Sequence, residues 1–195
     1  MKIIHHRRNT LEELRSTPVE YGVEIDIRTH GKDLILHHDP FVAGELLDNW
    51  LAEFHHGTLI LNVKEEGLEE AVLERMKRFG IEDFFFLDQS FPFLIKTART
   101  GEKRCAVRVS EFESIDTAMA LQGKVSWVWV DCFTKFPLSR QQADRLRQAG
   151  FRFCLVSPEL QGRSDPQAIA AMRELLDGLR IPAEAVCTKT PELWR

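Results

Sequence analysis

Short runs of β-branched and aromatic residues alternate along the chain with longer stretches in which apolar residues return every three or four positions. The first pattern predicts strands over Lys2–His6, Val23–Ile27, Leu59–Val63, Phe84–Leu87, Cys105–Val109, Ser126–Val130, Phe151–Val156 and Ala185–Thr188. The second predicts helices, among them Glu45–Phe54, Leu68–Phe79, Phe93–Ala98, Ser139–Gln148 and Pro166–Leu179. Ser139 and Asp165 stand where N-caps belong, and Gly80 and Gly150 where helices stop. Between the second and third strands, Thr29–Asp33 turns through His30-Gly31 and returns as the apolar run Leu34–Leu36, a hairpin inside an otherwise parallel order.

Strict βα alternation predicts a parallel sheet, and eight units predict that it closes. The expected fold is therefore α/β, a compact (β/α)8 TIM barrel forming a single domain over residues 1–195. Length makes this tight: 195 residues over eight units leave about 24 each, against about 250 residues for a typical barrel. An open sheet is the runner-up. Only Pro191–Arg195 remain beyond the last Thr-Lys-Thr, so the last helix is expected to be reduced or missing. Leu193 and Trp194 would then plug the gap it leaves, or, left bare, offer a homodimer surface.

Composition narrows the partners. A net charge of −4 argues against a general nucleic-acid binder. No apolar run approaches the ~18–20 residues of a membrane span, and the start of the chain has no signal-peptide pattern, so a cytoplasmic protein acting on a small molecule is expected. The four cysteines, Cys105, Cys132, Cys154 and Cys187, are too far apart for a metal or redox motif and read as small core residues.

In such barrels chemistry sits where the strands end at their C-terminal side. The first strand ends in His5-His6-Arg7, the second carries Glu24-Ile25-Asp26, the hairpin ends in His37-His38-Asp39 and the third strand ends in Asn62-Val63-Lys64. Residues two apart on a strand share a face, so Glu24 and Asp26 form one pair and Asn62 and Lys64 another. Paired carboxylates with a third oxygen donor suit a hard divalent cation, Mg²⁺ or Ca²⁺. Two imidazoles beside it could serve as general base and acid, and Arg7 and Lys64 would meet a phosphoryl group gaining negative charge. Gln89, Arg108, Ser110, Asp131, Ser157 and Lys189 follow later strands and are further rim candidates. His55-His56 precede the third strand at the opposite end and are given no role; Trp127 and Trp129 are assigned to packing before ligand stacking.

These residues resemble the glycerophosphodiester phosphodiesterases, within the superfamily that includes phosphatidylinositol-specific phospholipase C. That family opens with an apolar strand and His-Arg-Gly, then Glu-Asn-Thr-Leu; Ile3-Ile4-His5-His6-Arg7-Arg8-Asn9-Thr10-Leu11 is similar to a shortened version. Its Glu-x-Asp-Val, Thr, turn, apolar strand and His-Asp match Glu24–Ile27, Thr29, Gly31, Leu34–Leu36 and His38-Asp39 in order and spacing. Its Glu-x-Lys is matched by Asn62-Val63-Lys64, a Gln-Ser-Phe by Gln89–Phe91, and a closing Thr-x-x-Pro-x-x-Leu by Thr188–Leu193, one residue short.

The resemblance implies a metal-dependent hydrolase cleaving a small phosphodiester. It implies His6 and His38 as the acid/base pair, Glu24, Asp26 and Asn62 as ligands of Mg²⁺ or Ca²⁺, and Arg7, Lys64 and Gln89 as substrate-binding groups. Three features depart from the family pattern. Its third metal-ligating carboxylate is Asn62, its glycine after His-Arg is Arg8, and its usual insertion is absent, Asp39 running straight into Pro40–Gly44. Asn62 and the absent insertion motivate an alternative, a catalytically degenerate barrel that binds a phosphorylated or anionic ligand. A third reading is a Schiff-base aldolase using Lys64 or Lys189.

Overall fold

The computed structural model describes every residue, Met1–Arg195, and the chain divides into two compact units. The first unit, Ile4–Thr100, is built in the order β1 (Lys2–His5, of which Ile4 and His5 belong to this unit), α1 (Leu11–Ser16), β2 (Gly22–His30), β3 (Asp33–Leu36), β4 (Glu45–Leu46), α2 (Leu47–Ala52), β5 (Leu59–Val63), α3 (Glu69–Phe79), β6 (Phe84–Leu87) and α4 (Phe91–Arg99). Strand β2 is its spine. One edge pairs in parallel with β1, the other with β5, and β5 pairs in parallel with β6. Beyond the end of β1, β2 runs on to His30 and folds back antiparallel on β3 through Gly31, whose φ of 64° is the left-handed turn that glycine adopts freely. The hairpin anticipated at Thr29–Asp33 is this ribbon.

The helix expected over Glu45–Phe54 begins two residues later, because Glu45 and Leu46 pair with Leu36 and Ile35 as a third antiparallel strand. Gly44, just before it, lies so close to β3 that a Cβ there would sit 2.3 Å from the Leu36 carbonyl oxygen. Thr10 opens α1 with a reciprocal capping box to Glu13. Val23, Ile25 and Ile27 of β2 and Leu59, Ile60 and Leu61 of β5 are all fully buried, as strands covered on both faces require.

The second unit, Met1–Ile3 with Gly101–Arg195, follows the same rhythm: β7 (Ala106–Val109), α5 (Ile115–Met119), β8 (Trp127–Val130), α6 (Arg140–Gln148), β9 (Arg152–Val156), a 3-10 turn (Pro158–Gln161), α7 (Pro166–Leu179), β10 (Ala185–Thr188) and a second 3-10 turn (Pro191–Trp194). Strands β7 to β10 pair in parallel in sequence order, and the Lys2 backbone N–H donates to the Glu184 carbonyl at 2.8 Å. The eight anticipated strands are thus present as β1, β2, β5, β6, β7, β8, β9 and β10. All four cysteines are buried free thiols, and Trp127 and Trp129 are buried with them. The pattern rules out a membrane-crossing helix in the plainest way: no helix is long and apolar enough to span a bilayer.

In place of an eighth helix the chain forms the turn Pro191–Trp194. Trp194 is only 5% exposed, and its indole N–H donates to Ser157 Oγ at 2.8 Å. Ser157 in turn donates to Glu159, which also receives the Thr188 hydroxyl at 2.6 Å and the Lys189 backbone N–H at 2.9 Å. Arg173 of α7 holds the Leu193 carbonyl at 2.8 Å. The turn therefore packs against β9, β10 and α7, with Trp194 buried and Leu193 partly covered. Trp194→Ala should lower unfolding stability by about 3 kcal/mol, the cost of a buried aromatic cavity, read as a reduced midpoint in urea; an unchanged midpoint would show that the turn is not anchored as described.

Candidate active site

The site is built on β2. Because side chains alternate along a strand, Glu24 and Asp26 point to the face opposite Val23, Ile25 and Ile27, and both carboxylates are fully buried. In the parallel pairing Asp26 lies opposite Asn62 of β5. From there the Asn62 amide reaches along the strand, Nδ2 donating to Glu24 Oε1 at 2.8 Å. The loop after β1 closes the other side. The Arg7 backbone N–H donates to Glu24 Oε2 at 2.8 Å, with His6 Nε2 3.7 Å from the same oxygen.

Asp26 is held just as closely. Its Oδ2 accepts from Asn9 Nδ2 at 2.9 Å and lies 3.5 Å from Arg7 Nε, its Oδ1 is 3.1 Å from Lys64 Nζ, and its backbone N–H donates to Asn9 Oδ1 at 2.8 Å. Lys64 also lies 3.8 Å from Asp88 beyond β6. The end of β3 is tied in by the His37 backbone N–H, which donates to the Asp26 carbonyl at 3.0 Å. His38 follows directly. Arg28 donates from both Nε and Nη2 to its carbonyl at 3.0 Å, and its Nδ1 pairs with Asp39 Oδ1 at 2.8 Å. That hydrogen bond holds the Asp39 carboxyl below its ordinary range.

Backbone strain is concentrated here. Of four non-glycine residues at positive φ, Arg7 (52°), Phe41 (62°) and Asp88 (57°) lie on the loops after β1, β3 and β6; the fourth, Arg180, ends a helix. Such conformations cost about 1–3 kcal/mol each and persist where surroundings impose them, commonly at functional sites.

Burial, with Asp26 beside it, pushes the Glu24 carboxyl up to about 7, against the opposing pull of the Asn62 and Arg7 hydrogen bonds and the Lys64 charge. Between its ordinary 4.5 and about 7 the folded chain keeps a proton that the unfolded chain has released. Stability should therefore fall as pH rises through that window.

The structure brings His6, Arg7, Glu24, Asp26, Asn62 and Lys64 into one contact network, with His38 one residue beyond it. Gln89 is drawn elsewhere: its amide N–H donates to Glu69 of α3 at 3.1 Å and Thr97 of α4 at 2.9 Å, so it braces the helix layer. It still lines, with Lys64, Glu66, Asp88 and Ser90, a cavity of about 180 Å³. Arg8 is committed to the His5 ring, while its carbonyl accepts from Trp50 Nε1 at 2.9 Å. Of the other rim candidates, Arg108 lies 3.5 Å from buried Asp131, Ser110 donates to Glu113 at 2.7 Å, and Ser157 belongs to the Trp194 network. Three contributors were not singled out from sequence: Asn9, which clips Asp26 from both sides, Arg28, which holds the His38 backbone, and Asp88. Asn9 lies inside the His5–Leu11 segment and Asp88 directly follows the strand Phe84–Leu87, so both had a signal in the sequence.

No protein-family model matches the sequence, and no curated protein matches it. Solved structures do match. A glycerophosphodiester phosphodiesterase from Agrobacterium tumefaciens superposes with a TM-score of 0.65 at 15% identity, covering 99% of this chain and 98% of that one. A glycerophosphoryl diester phosphodiesterase from Parabacteroides distasonis gives 0.68 at 15% identity, covering 98% and 84%. A mutant tryptophan synthase alpha-subunit from Pyrococcus furiosus gives 0.56 at 12% identity, covering 98% and 88%. At these identities the likeness establishes the fold: the chain is an α/β protein of the (β/α)8 TIM-barrel class, with the last helix reduced to a turn.

Glu24→Gln should flatten the decline in stability between pH about 5 and about 7.5, measured by urea unfolding at each pH. An unaltered slope would mean that another group carries it.

Proposed function

We propose that this site hydrolyses a small phosphodiester of the glycerophosphodiester kind. The carrying observation is the convergence of His6, Arg7 and Lys64 on a buried carboxylate pair at the ends of β1, β2 and β5, with His38 following the residue whose backbone N–H is bonded to Asp26. The likeness in fold to two phosphodiesterases supports the reading. Arg7 and Lys64 would hold the non-bridging phosphate oxygens and meet the charge that grows on them in the transition state. Asp39 on Nδ1 fixes the His38 tautomer and leaves Nε2 as the atom that exchanges a proton with substrate. One histidine takes a proton from water as its oxygen bonds to phosphorus; the other gives a proton to the departing alkoxide as the P–O bond breaks. The products are an alcohol and a phosphomonoester.

Mg²⁺ or Ca²⁺, the ions the resemblance implies, would fall to Glu24, Asp26 and Asn62. The donor set does not fit them well. Only two of the three are carboxylates, Asn62 turns its N–H toward Glu24, and no group of three or more His, Cys, Asp or Glu side chains is arranged to hold a metal. No step above runs through an ion. The same substitution favours the second reading, a barrel that binds a phosphorylated ligand without turnover.

The test is hydrolysis of bis-p-nitrophenyl phosphate and of glycerophosphodiesters, with products followed by ³¹P NMR. His6→Ala and His38→Ala should each lower kcat/KM by about 10²–10⁴ with the fold intact, and Lys64→Ala should chiefly raise KM. Turnover undiminished in both histidine variants would overturn the assignment; ligand binding with no turnover under any condition would favour the second reading.

A further inference from the structure

Two buried carboxylates on one strand face require compensation, since an uncompensated buried charge is strongly destabilising. In a site built around a dication, their oxygens face the ion. Here three of the four oxygens accept a hydrogen bond from the chain, and the fourth has the Lys64 ammonium beside it. Glu24 Oε1 has Asn62 Nδ2 at 2.8 Å and Oε2 has the Arg7 backbone at 2.8 Å. Asp26 Oδ1 has Lys64 Nζ at 3.1 Å and Oδ2 has Asn9 Nδ2 at 2.9 Å. Arg7 and Lys64 thus already bring positive charge to the carboxylate pair, and Asn62 is a neutral amide where a third carboxylate would add an anion.

We propose that this site binds its phosphodiester without a divalent ion, the Lys64 ammonium and the Asn62 amide standing in the ion's place. The inference rests on the phosphodiesterase reading of the same residues and narrows it. A dication would have to be placed beside two cations already held at the carboxylate pair, Arg7 and Lys64. It would also displace Asn62 Nδ2 from Glu24 and Lys64 Nζ from Asp26. Two buried oxygens lack a hydrogen-bond donor, Asn62 Oδ1 and Asp26 Oδ1, the latter with the Lys64 ammonium 3.1 Å away, so the oxygen that β5 offers a cation is a neutral one. A single neutral oxygen is a poor substitute for a carboxylate, because affinity for Mg²⁺ and Ca²⁺ follows the number and charge of the oxygen ligands. Lys64, 17% exposed, is sheltered enough for its charge to act at short range on a phosphate.

The experiment uses full-length protein stripped with EDTA. Mg²⁺, Ca²⁺ and Mn²⁺ are titrated by calorimetry, and inorganic phosphate binding and bis-p-nitrophenyl phosphate hydrolysis are compared with and without each ion. The expected result is no saturable ion binding, with phosphate affinity and rate unchanged by EDTA. Saturable ion binding accompanied by phosphate affinity or turnover that EDTA abolishes would overturn the inference and leave the phosphodiesterase reading standing. Absence of turnover under every condition would instead overturn that reading. The inference then stands if phosphate binds in EDTA and falls if it binds only with an ion. Asn62→Glu supplies the converse: it should gain saturable binding of at least one ion. A folded variant that gains none would show that Asn62 is not what excludes the ion. The wild-type titrations decide the matter should the variant fail to fold.

Discussion

The constraint on which the site depends is the placement of two carboxylates, Glu24 and Asp26, on the buried face of a central strand. Neither retains any exposure to water, so each oxygen must find a donor within the protein. Those donors come from the loop after β1, from β5, and from the loop residue Asn9. Strand ends distant in sequence are thereby drawn onto one strand, and the same contacts that make the burial tolerable assemble the polar groups of the site.

That demand also accounts for local departures from easy backbone geometry. Arg7 adopts a positive φ, yet this conformation presents its N–H to Glu24 and its side chain to Asp26. Asp88, also at positive φ, lies within reach of Lys64. A cost of about 1–3 kcal/mol at each such residue is offset because a buried carboxylate lacking its donor would be of comparable or greater cost.

The fold was largely legible because burial imposes periodicity on the strands. Val23–Ile27 and Leu59–Val63 are apolar runs interrupted only by the residues that form the site, so the interruptions themselves mark it. Short elements carry too little pattern: β4 has two residues and α5 five, and the pairing of Glu45 with Leu36 is a tertiary event. Within the site, residue types and their shared faces could be read, but not how hydrogen bonds would be divided among them. Asn62 reads from sequence as an oxygen ligand; only its position opposite Asp26 and beside Glu24 turns its N–H inward. Gln89 reads as a substrate group because it ends a strand, yet Glu69 and Thr97 on neighbouring helices claim its amide first.

The short connection after His38 bears on selectivity. Only Pro40–Gly44 separate Asp39 from β4, and Gly44 is pressed against the Leu36 carbonyl, so this segment has little freedom to fold inward. Its most prominent side chain, Phe41, is fully exposed. No insertion stands here to enclose the alcohols on either side of a phosphodiester. Discrimination by shape requires enclosure, because apolar and hydrogen-bond contacts reject a wrong group only when it is desolvated. The groups that remain, Arg7, Lys64 and the two histidines, would, in the proposed reaction, address phosphate oxygens and the atoms of the scissile bond, which all phosphodiesters share. On the phosphodiesterase reading proposed above, a site of this construction would recognise the diester itself, and its preference among esterifying alcohols would rest on the contacts the outer loops add.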